Sequence, residues 1–423
     1  MSSALDVFLH ERRVGRLERR SQARLEFRYL PEALDGEACP PLSLSLPPRP
    51  EPYSDEECEP FFAGLLPEGE FLKAVARAFH VSAENAFGLL AAIGGECAGA
   101  VSLAEVDGPP PGRETAPPRW LDRDDLARLL DSLPERPLLV AADEELDDDD
   151  GIRLSLAGTV DKLGVLVDGD RIAITRGHPP TNHILKTPIA SLPETIANEA
   201  FCMTLAVEAG LDAAEVEPWS EPRPFLLVRR YDRGPGAPDG RLHQEDFCQA
   251  LGFPPALKYE REGGPDVARC AELLWKHSSA PAPDVISFLD ALLFNFLIAN
   301  HDAHSKNYSL LLEPEGVRIA PLYDLLSTAV YQGLSRKLAM RYGGEYRPAY
   351  LRGRHLERLA DQLQVRKALV RERALRTGAA VRETVGAARG RLPDEFAAAE
   401  VIDSIVATIE ERDERLRGAV AEM

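Results

Sequence analysis

Apolar and polar positions alternate with period two in short stretches of the first half of the chain. Later they recur with the longer period of helices. Residues 7–9 and 25–30 read as strands, and 40–47 as a period-two strand fenced by prolines. Residues 72–79 and 86–93 fit helices, and 93–101 reads as a glycine turn leading into a strand. Residues 154–157, 163–167, 172–175, 183–186 and 225–231 read as further short strands, with a helix over 192–209. Beyond 240 the pattern is largely helical: 247–251, 267–275, 285–300 and most of 355–423. Strands first and helices later predict an α+β protein, a β-rich lobe followed by a larger α-helical lobe, with no internal repeat.

Two stretches interrupt the pattern. Residues 107–119 are rich in proline and glycine, and 143–150 form an acidic run with the character of a solvated loop. They divide the chain into an N-terminal part (1–106), a linker region (107–150), a β-rich part (151–232) and a helical part (233–423).

The 423 residues are 44% hydrophobic and 28% charged, the balance of a soluble globular protein with ample chain for a core. A net charge of −20 argues against a free-standing nucleic-acid binder and against a membrane surface. No apolar run reaches the roughly 18 residues of a membrane span, and the N-terminus has no signal architecture. Six scattered cysteines without a C-x-x-C pair read as reduced thiols of a cytoplasmic protein. Positive charge comes from 41 arginines and only 8 lysines, so each lysine stands out.

The candidate chemistry lies at 294–310, where an apolar helix ends, polar residues follow, and an apolar strand resumes. Asp302 and Asn307 have the spacing D-x-x-x-x-N of a kinase catalytic loop, where the Asp takes the acceptor's proton and the Asn holds a metal. Asp324, 22 residues after Asp302, is a carboxylate among apolar neighbours. It reads either as a second metal ligand or as a buried cap of a following helix. Lys186 closes a strand and Glu199 follows on a helix, the order of the kinase Lys–Glu ion pair. Between two strands, Ser155-Leu156-Ala157-Gly158-Thr159-Val160-Asp161-Lys162 has the composition of a turn whose backbone N–H groups could face an anion, although it lacks G-x-G-x-x-G. Lys162, Lys186 and Lys306 all fall within this ordered set.

Order and wording together resemble the HipA family of bacterial toxin kinases, over roughly residues 5–385. The resemblance runs through Phe62-Ala63-Gly64-Leu65-Leu66-Pro67-Glu68-Gly69, Ile93-Gly94-Gly95-Glu96-Cys97-Ala98-Gly99-Ala100 and Leu154-Ser155-Leu156-Ala157-Gly158. It continues through Arg230-Tyr231-Asp232-Arg233, Lys258-Tyr259, Asn300-His301-Asp302-Ala303-His304-Ser305-Lys306-Asn307 and Leu322-Tyr323-Asp324. The resemblance implies an atypical two-lobed protein-kinase-like fold with an extra N-terminal subdomain. It implies an ATP- and Mg²⁺-dependent serine/threonine kinase, the toxin of a two-gene module. The partner would be a helix-turn-helix antitoxin that carries the complex to operator DNA, with co-repression. The substrate would be an aminoacyl-tRNA synthetase, notably the glutamyl enzyme, so that translation stalls and cells persist.

Carried over, Asp302 is the catalytic base, and Asn307 and Asp324 hold Mg²⁺. Lys186, paired with Glu199, contacts the ATP phosphates, which Ala157, Gly158, Thr159, Val160, Asp161 and Lys162 cover. Arg229, Arg230 and Tyr231 offer backbone groups to adenine, and His304 and Lys306 lie at the phosphates. Ser155 aligns with the family's autophosphorylated serine. A phosphate there would add about −1.5 to −2 charge inside the phosphate loop and silence the kinase. The sequence departs from the family at Val160, where glutamine is usual, at Arg229, where glutamate is common, and at His301, commonly threonine.

The same residues admit two other readings. His301-Asp302 is an HD dipeptide, as in metal phosphohydrolases, but that chemistry needs further ligands and only nine histidines exist. A non-catalytic pseudokinase or antitoxin-docking co-repressor is the second. Residues 352–391 carry 10 Arg and 1 Lys against 4 acids, a local balance of +7, either a solvated helical face or a patch beside antitoxin-bound DNA.

Overall fold

The computed structural model describes residues 3–423 apart from 21–23, 35–40, 109, 112–116, 134–161, 176–179, 235–237 and 314. The chain forms two compact units. The first comprises Met1–Thr187, Trp219–Pro255 and Leu311–Pro314. The second comprises Pro188–Pro218, Ala256–Leu310 and Glu315–Met423.

In the first unit, Leu25–Tyr29, Arg12–Arg19, Ala4–Leu9 and Val101–Glu105 lie side by side as an antiparallel sheet. At Gly15 a Cβ would lie 2.3 Å from the Phe27 ring, so only glycine lets these two strands close. The helices Asp55–Gly64, Gly69–Ala78 and Ala86–Ile93 cover the sheet with Phe61, Phe62, Phe87 and Leu90. The helix over 86–93 is where the apolar pattern puts it.

Residues 40–47 do not form the expected strand. Leu42 and Leu46 are fully buried, but Leu46 N–H donates to the Ser43 carbonyl at 3.0 Å and closes a turn. The serines explain it, because hydroxyls can satisfy local polar groups in place of a ladder. Ser43 Oγ accepts from Ser45 N–H at 3.1 Å and donates to Glu245, while Ser45 Oγ donates to the Gln249 carbonyl at 2.7 Å.

A six-stranded sheet runs, in spatial order, Arg119–Trp120, Arg171–Ile174, Lys162–Asp168, His183–Lys186, Phe225–Arg229 and Val216–Trp219, with the first five strands paired antiparallel. Leu163, Val165, Ile172, Leu185, Phe225 and Leu227 pack with Leu126, Leu129 and Leu130 of the helix Arg123–Ser132. That helix starts at Asp122, whose side chain accepts Asp125 N–H at 2.7 Å. The expected strand at 154–157 lies outside the described residues.

The second unit is mainly helical. Its central helix, Pro281–Leu297, is buried around most of its circumference, with Phe288, Leu289, Leu292, Phe294 and Phe296 at or near zero exposure. It starts four residues before the apolar pattern suggests, because proline suits a first helical turn. It ends three residues early, because Ala299 takes a left-handed backbone (φ 52°) and Asn300 N–H caps back to the Asn295 carbonyl at 2.9 Å. Likewise the helix Thr195–Glu208 begins only after Glu194 (φ 56°), whose carboxylate accepts Val401 N–H at 2.8 Å. Gly353–Leu363, Lys367–Gly390 and Glu400–Ala421 complete the bundle.

Among the described residues no helix is long and apolar enough to cross a membrane. Cys58, Cys97, Cys202, Cys248 and Cys270 are buried free thiols.

Candidate active site

The segment after the central helix is shaped by Asn300, whose 2% exposed side chain holds three groups at once. Its amide donates to Asn295 Oδ1 at 2.9 Å and reaches the Asp324 carbonyl at 3.4 Å, and its oxygen accepts Asp302 N–H at 3.1 Å. The backbones of Asp302 and Asp324 are therefore tied to one buried amide. Residues Ser305–Asn307 form a 3-10 turn, and Asn307 Nδ2 donates back to the Asp302 carbonyl at 3.2 Å. This bond turns Oδ1 into the outward acceptor end of Asn307. Tyr323 donates to the Lys306 carbonyl at 2.7 Å and fastens the irregular segment that carries Asp324 to the same turn.

Asp302, Asn307 and Asp324 thus belong to one hydrogen-bonded construction. Asp302 is exposed, while Asn307 and Asp324 are half-buried. Asp324 takes a left-handed backbone (φ 58°), as Ala299 does, and non-glycine residues hold that conformation only where their surroundings enforce it. Among the described residues no helix starts at Asp324, so it does not cap one. His304 and Lys306 are buried in the same loop, at 6% and 7% exposure.

Tyr259, from outside the loop, donates to Asp302 Oδ1 at 2.6 Å. Burial first, then the Asp302 charge, pushes its phenol well above the usual range, so it stays protonated. Neither this contact nor the Asn300 clamp is legible from spacing, although both residues fall in the motifs quoted above.

His301 faces away from this chemistry. Its Nδ1 lies 2.9 Å from the Ser335 carbonyl and its Nε2 3.3 Å from the Arg412 guanidinium. Burial pushes its pKa down to about 4, so it is neutral at pH 7. With both ring nitrogens engaged it is poorly placed to join His304 on a metal. Among the described residues no group of three or more His, Cys, Asp or Glu is arranged to hold one.

In the first unit, Lys162 stands directly across from Lys186 in adjacent antiparallel strands. Lys186 is 7% exposed. Glu199 is buried on the helix Thr195–Glu208 of the second unit, beside Asn198, whose side chain bonds both Ser327 backbone groups and Tyr331. Ser155 and Ala157, Gly158, Thr159, Val160 and Asp161 lie outside the described residues.

The linking segment after Phe225–Arg229 is built differently from a bare backbone hinge. Arg230 N–H donates to the Asn182 carbonyl at 3.0 Å. The Arg230 guanidinium is buried between Asp232 (2.8 and 2.9 Å) and Thr181 Oγ1 (3.0 Å). Arg233 joins it, bonding Asp232 Oδ2 at 2.8 Å and Glu96 Oε1 at 3.2 Å. Burial alone would raise the Asp232 and Glu96 pKa values, but the surrounding guanidiniums overcome it and hold both carboxylates ionised. The Tyr231 hydroxyl bonds Gln244.

Comparison with known proteins agrees with this geometry. The chain matches the HipA N-terminal domain over residues 5–104 and the HipA-like C-terminal domain over 154–387. It is 46% identical over 380 residues to the protein Y4mE of Sinorhizobium fredii, covering 87% of this chain and 88% of the relative. It is 31% identical over 317 residues to the serine/threonine-protein kinase toxin HipA of Shewanella oneidensis, covering 72% and 70%. The structure of the Shewanella oneidensis MR-1 toxin–antitoxin system HipA, HipB and its operator DNA complex superposes with a TM-score of 0.83 at 28% identity, over 99% of this chain and 98% of that one. Carrying both domains of the pair in order, and matching a named toxin over two thirds of its length, the chain belongs to the HipA family of serine/threonine-protein kinase toxins.

Proposed function

We propose that this protein is an ATP- and Mg²⁺-dependent serine/threonine protein kinase with Asp302 as its base. The observation that carries this reading is the single construction that ties Asp302, Asn307 and Asp324 together through Asn300 and Tyr323.

The donor chemistry fits the cofactor. Asn307 Oδ1 and the Asp324 carboxylate are hard oxygen donors of the kind Mg²⁺ selects. When bound, Mg²⁺ and ATP supply a phosphoryl group whose developing charge is neutralised. Lys162 and Lys186, opposed across two strands, provide two cations for the phosphates. Lys306 and His304 lie beside the base, and Glu199 pairs with Lys186 to orient it. Asp302 would hold the acceptor hydroxyl and take its proton as the acceptor oxygen bonds the γ-phosphorus and the β–γ bond breaks, with ADP as the leaving group. The loop Ala157–Lys162 covers the phosphates, and phosphorylation of Ser155 within the same segment would eject it. At the linking segment, adenine would meet backbone groups of Arg229, Arg230 and Tyr231, of which the Arg230 N–H donates to the Asn182 carbonyl.

The Shewanella oneidensis homologue assembles with HipB and operator DNA. By that likeness this chain acts as the toxin of a two-gene module, is bound by a helix-turn-helix antitoxin, and reaches DNA through it as a co-repressor. Its acceptor class is an aminoacyl-tRNA synthetase. Phosphoproteomics after brief expression of wild type against Asp302→Asn tests activity and names the acceptor. New phosphoserine or phosphothreonine sites in the wild type alone support the reading. Identical phosphoproteomes would leave a docking role without catalysis.

A further inference from the structure

Tyr259 lies 43 residues before Asp302, outside the loop that carries the kinase reading, yet its hydroxyl is 2.6 Å from the Asp302 carboxylate. The chain pins this hydroxyl in place. Its ring meets the His304 ring edge-on, with centroids 5.1 Å apart and planes at 84°. The carbonyl of the preceding Lys258 accepts Ser305 Oγ at 3.0 Å. The following Glu260, 9% exposed, accepts Arg341 N–H at 2.6 Å and pairs with the Arg341 guanidinium. The phenol is therefore held by the same turn that carries the base, with ties on both sides.

Terminal carboxyl torsions are broad and roughly two-fold, so nothing in the side chain itself fixes the plane. A carboxylate accepts up to about four hydrogen bonds, so a donated phenol is compatible with a second hydroxyl arriving from a protein acceptor.

We infer that Tyr259 is a positioning residue for phosphoryl transfer, whose hydroxyl fixes the orientation of the Asp302 carboxylate before the acceptor binds. The inference rests on Asp302 being the base. The phenol keeps its own proton, and the acceptor's proton goes to Asp302. Among the described residues assigned to the nucleotide phosphates, Tyr259 meets the edge of the His304 ring, and its hydroxyl goes to Asp302, so its loss acts on turnover rather than on ATP affinity.

The test is self-labelling of the full chain from γ-³²P-ATP and Mg²⁺, comparing Tyr259→Phe, Tyr259→Leu, Asp302→Asn and wild type, with thermal melting of each. The expected result is a rate at saturating ATP roughly 10- to 100-fold lower in Tyr259→Phe, as for loss of a hydrogen bond to a charged group. The ATP concentration for half-maximal rate should stay within about twofold, with melting unchanged. A wild-type or faster rate in Tyr259→Phe would overturn the inference. So would a loss confined to Tyr259→Leu, which would assign the effect to the ring, or a loss seen only as weaker ATP use. Wild-type labelling no greater than that of Asp302→Asn would remove the base itself, and the positioning role with it.

Discussion

Lys162 and Lys186 occupy directly opposed positions in neighbouring antiparallel strands, so their side chains project from the same face of the sheet. Two ammonium groups in that register repel, in a chain with only eight lysines. In the kinase proposed above both ammonium groups serve the nucleotide phosphates.

Replacing Lys162 or Lys186 by methionine should weaken ATP–Mg²⁺ binding by about tenfold each, the scale of one charge-assisted contact. Titration calorimetry on the full chain measures it. Unchanged affinity in both variants would remove the lysine pair from the nucleotide site.

Asn300 links Asp302 N–H, Asn295 and the Asp324 carbonyl through one buried amide. Asn300→Ala should therefore act on both halves of the chemistry. Turnover should fall by roughly 100-fold or more, and more Mg²⁺ should be needed for half-maximal rate. Stability should drop by about 1–3 kcal/mol as the backbone groups lose their partner. Urea unfolding and a Mg²⁺ titration of the rate check it. A variant with normal Mg²⁺ dependence would show that Asn300 does not organise the Asp324 side.

Glu245 gives a pH dependence separate from catalysis. It is 1% exposed, and burial pushes its pKa up to about 8 although it accepts from Leu44 N–H and Ser43. Between its ordinary value of 4.5 and about 8 the folded state keeps a proton that the unfolded chain releases. Glu245 is thus fully compatible with folding below about pH 4.5, and stability falls as pH rises toward 8. Its neighbour His243, buried and pushed down to about 4, acts oppositely and favours folding as pH rises from about 4 to its ordinary 6.5. Glu245→Gln should remove the loss on the alkaline side, so the variant gains on the wild type by a few kcal/mol between pH 5 and 8.5. Urea midpoints at the two pH values measure it, and parallel pH profiles would contradict the assignment.

Much of the site is legible because its parts are close in sequence. The Asp302-to-Asn307 spacing marks a turn that the structure closes with its own Asn307 hydrogen bond, and the strand ending at Lys186 and the helix Ala86–Ile93 follow their apolar patterns. What escapes the sequence is what distant residues decide. Residues 40–47 alternate like a strand, yet Glu245 and Gln249, some 200 positions away, draw their serines into a turn. Nothing within Arg229-Arg230-Tyr231 marks the buried ionic network that Glu96 and Asp232 form with the Arg230 and Arg233 side chains. The Tyr259 hydroxyl comes to Asp302 from 43 residues away, with the neighbouring Lys258 carbonyl held by Ser305 and Glu260 held by Arg341.

The central claim is that Asp302 takes the proton of an acceptor hydroxyl, with Ser155 of this chain as one acceptor. The most direct measurement is ³²P incorporation from γ-³²P-ATP with Mg²⁺, mapped by mass spectrometry, in wild type, Asp302→Asn and Ser155→Ala. The account predicts label on Ser155 in the wild type, at least about 100-fold less in Asp302→Asn, and none at that position in Ser155→Ala. Undiminished labelling of Ser155 in Asp302→Asn would contradict it.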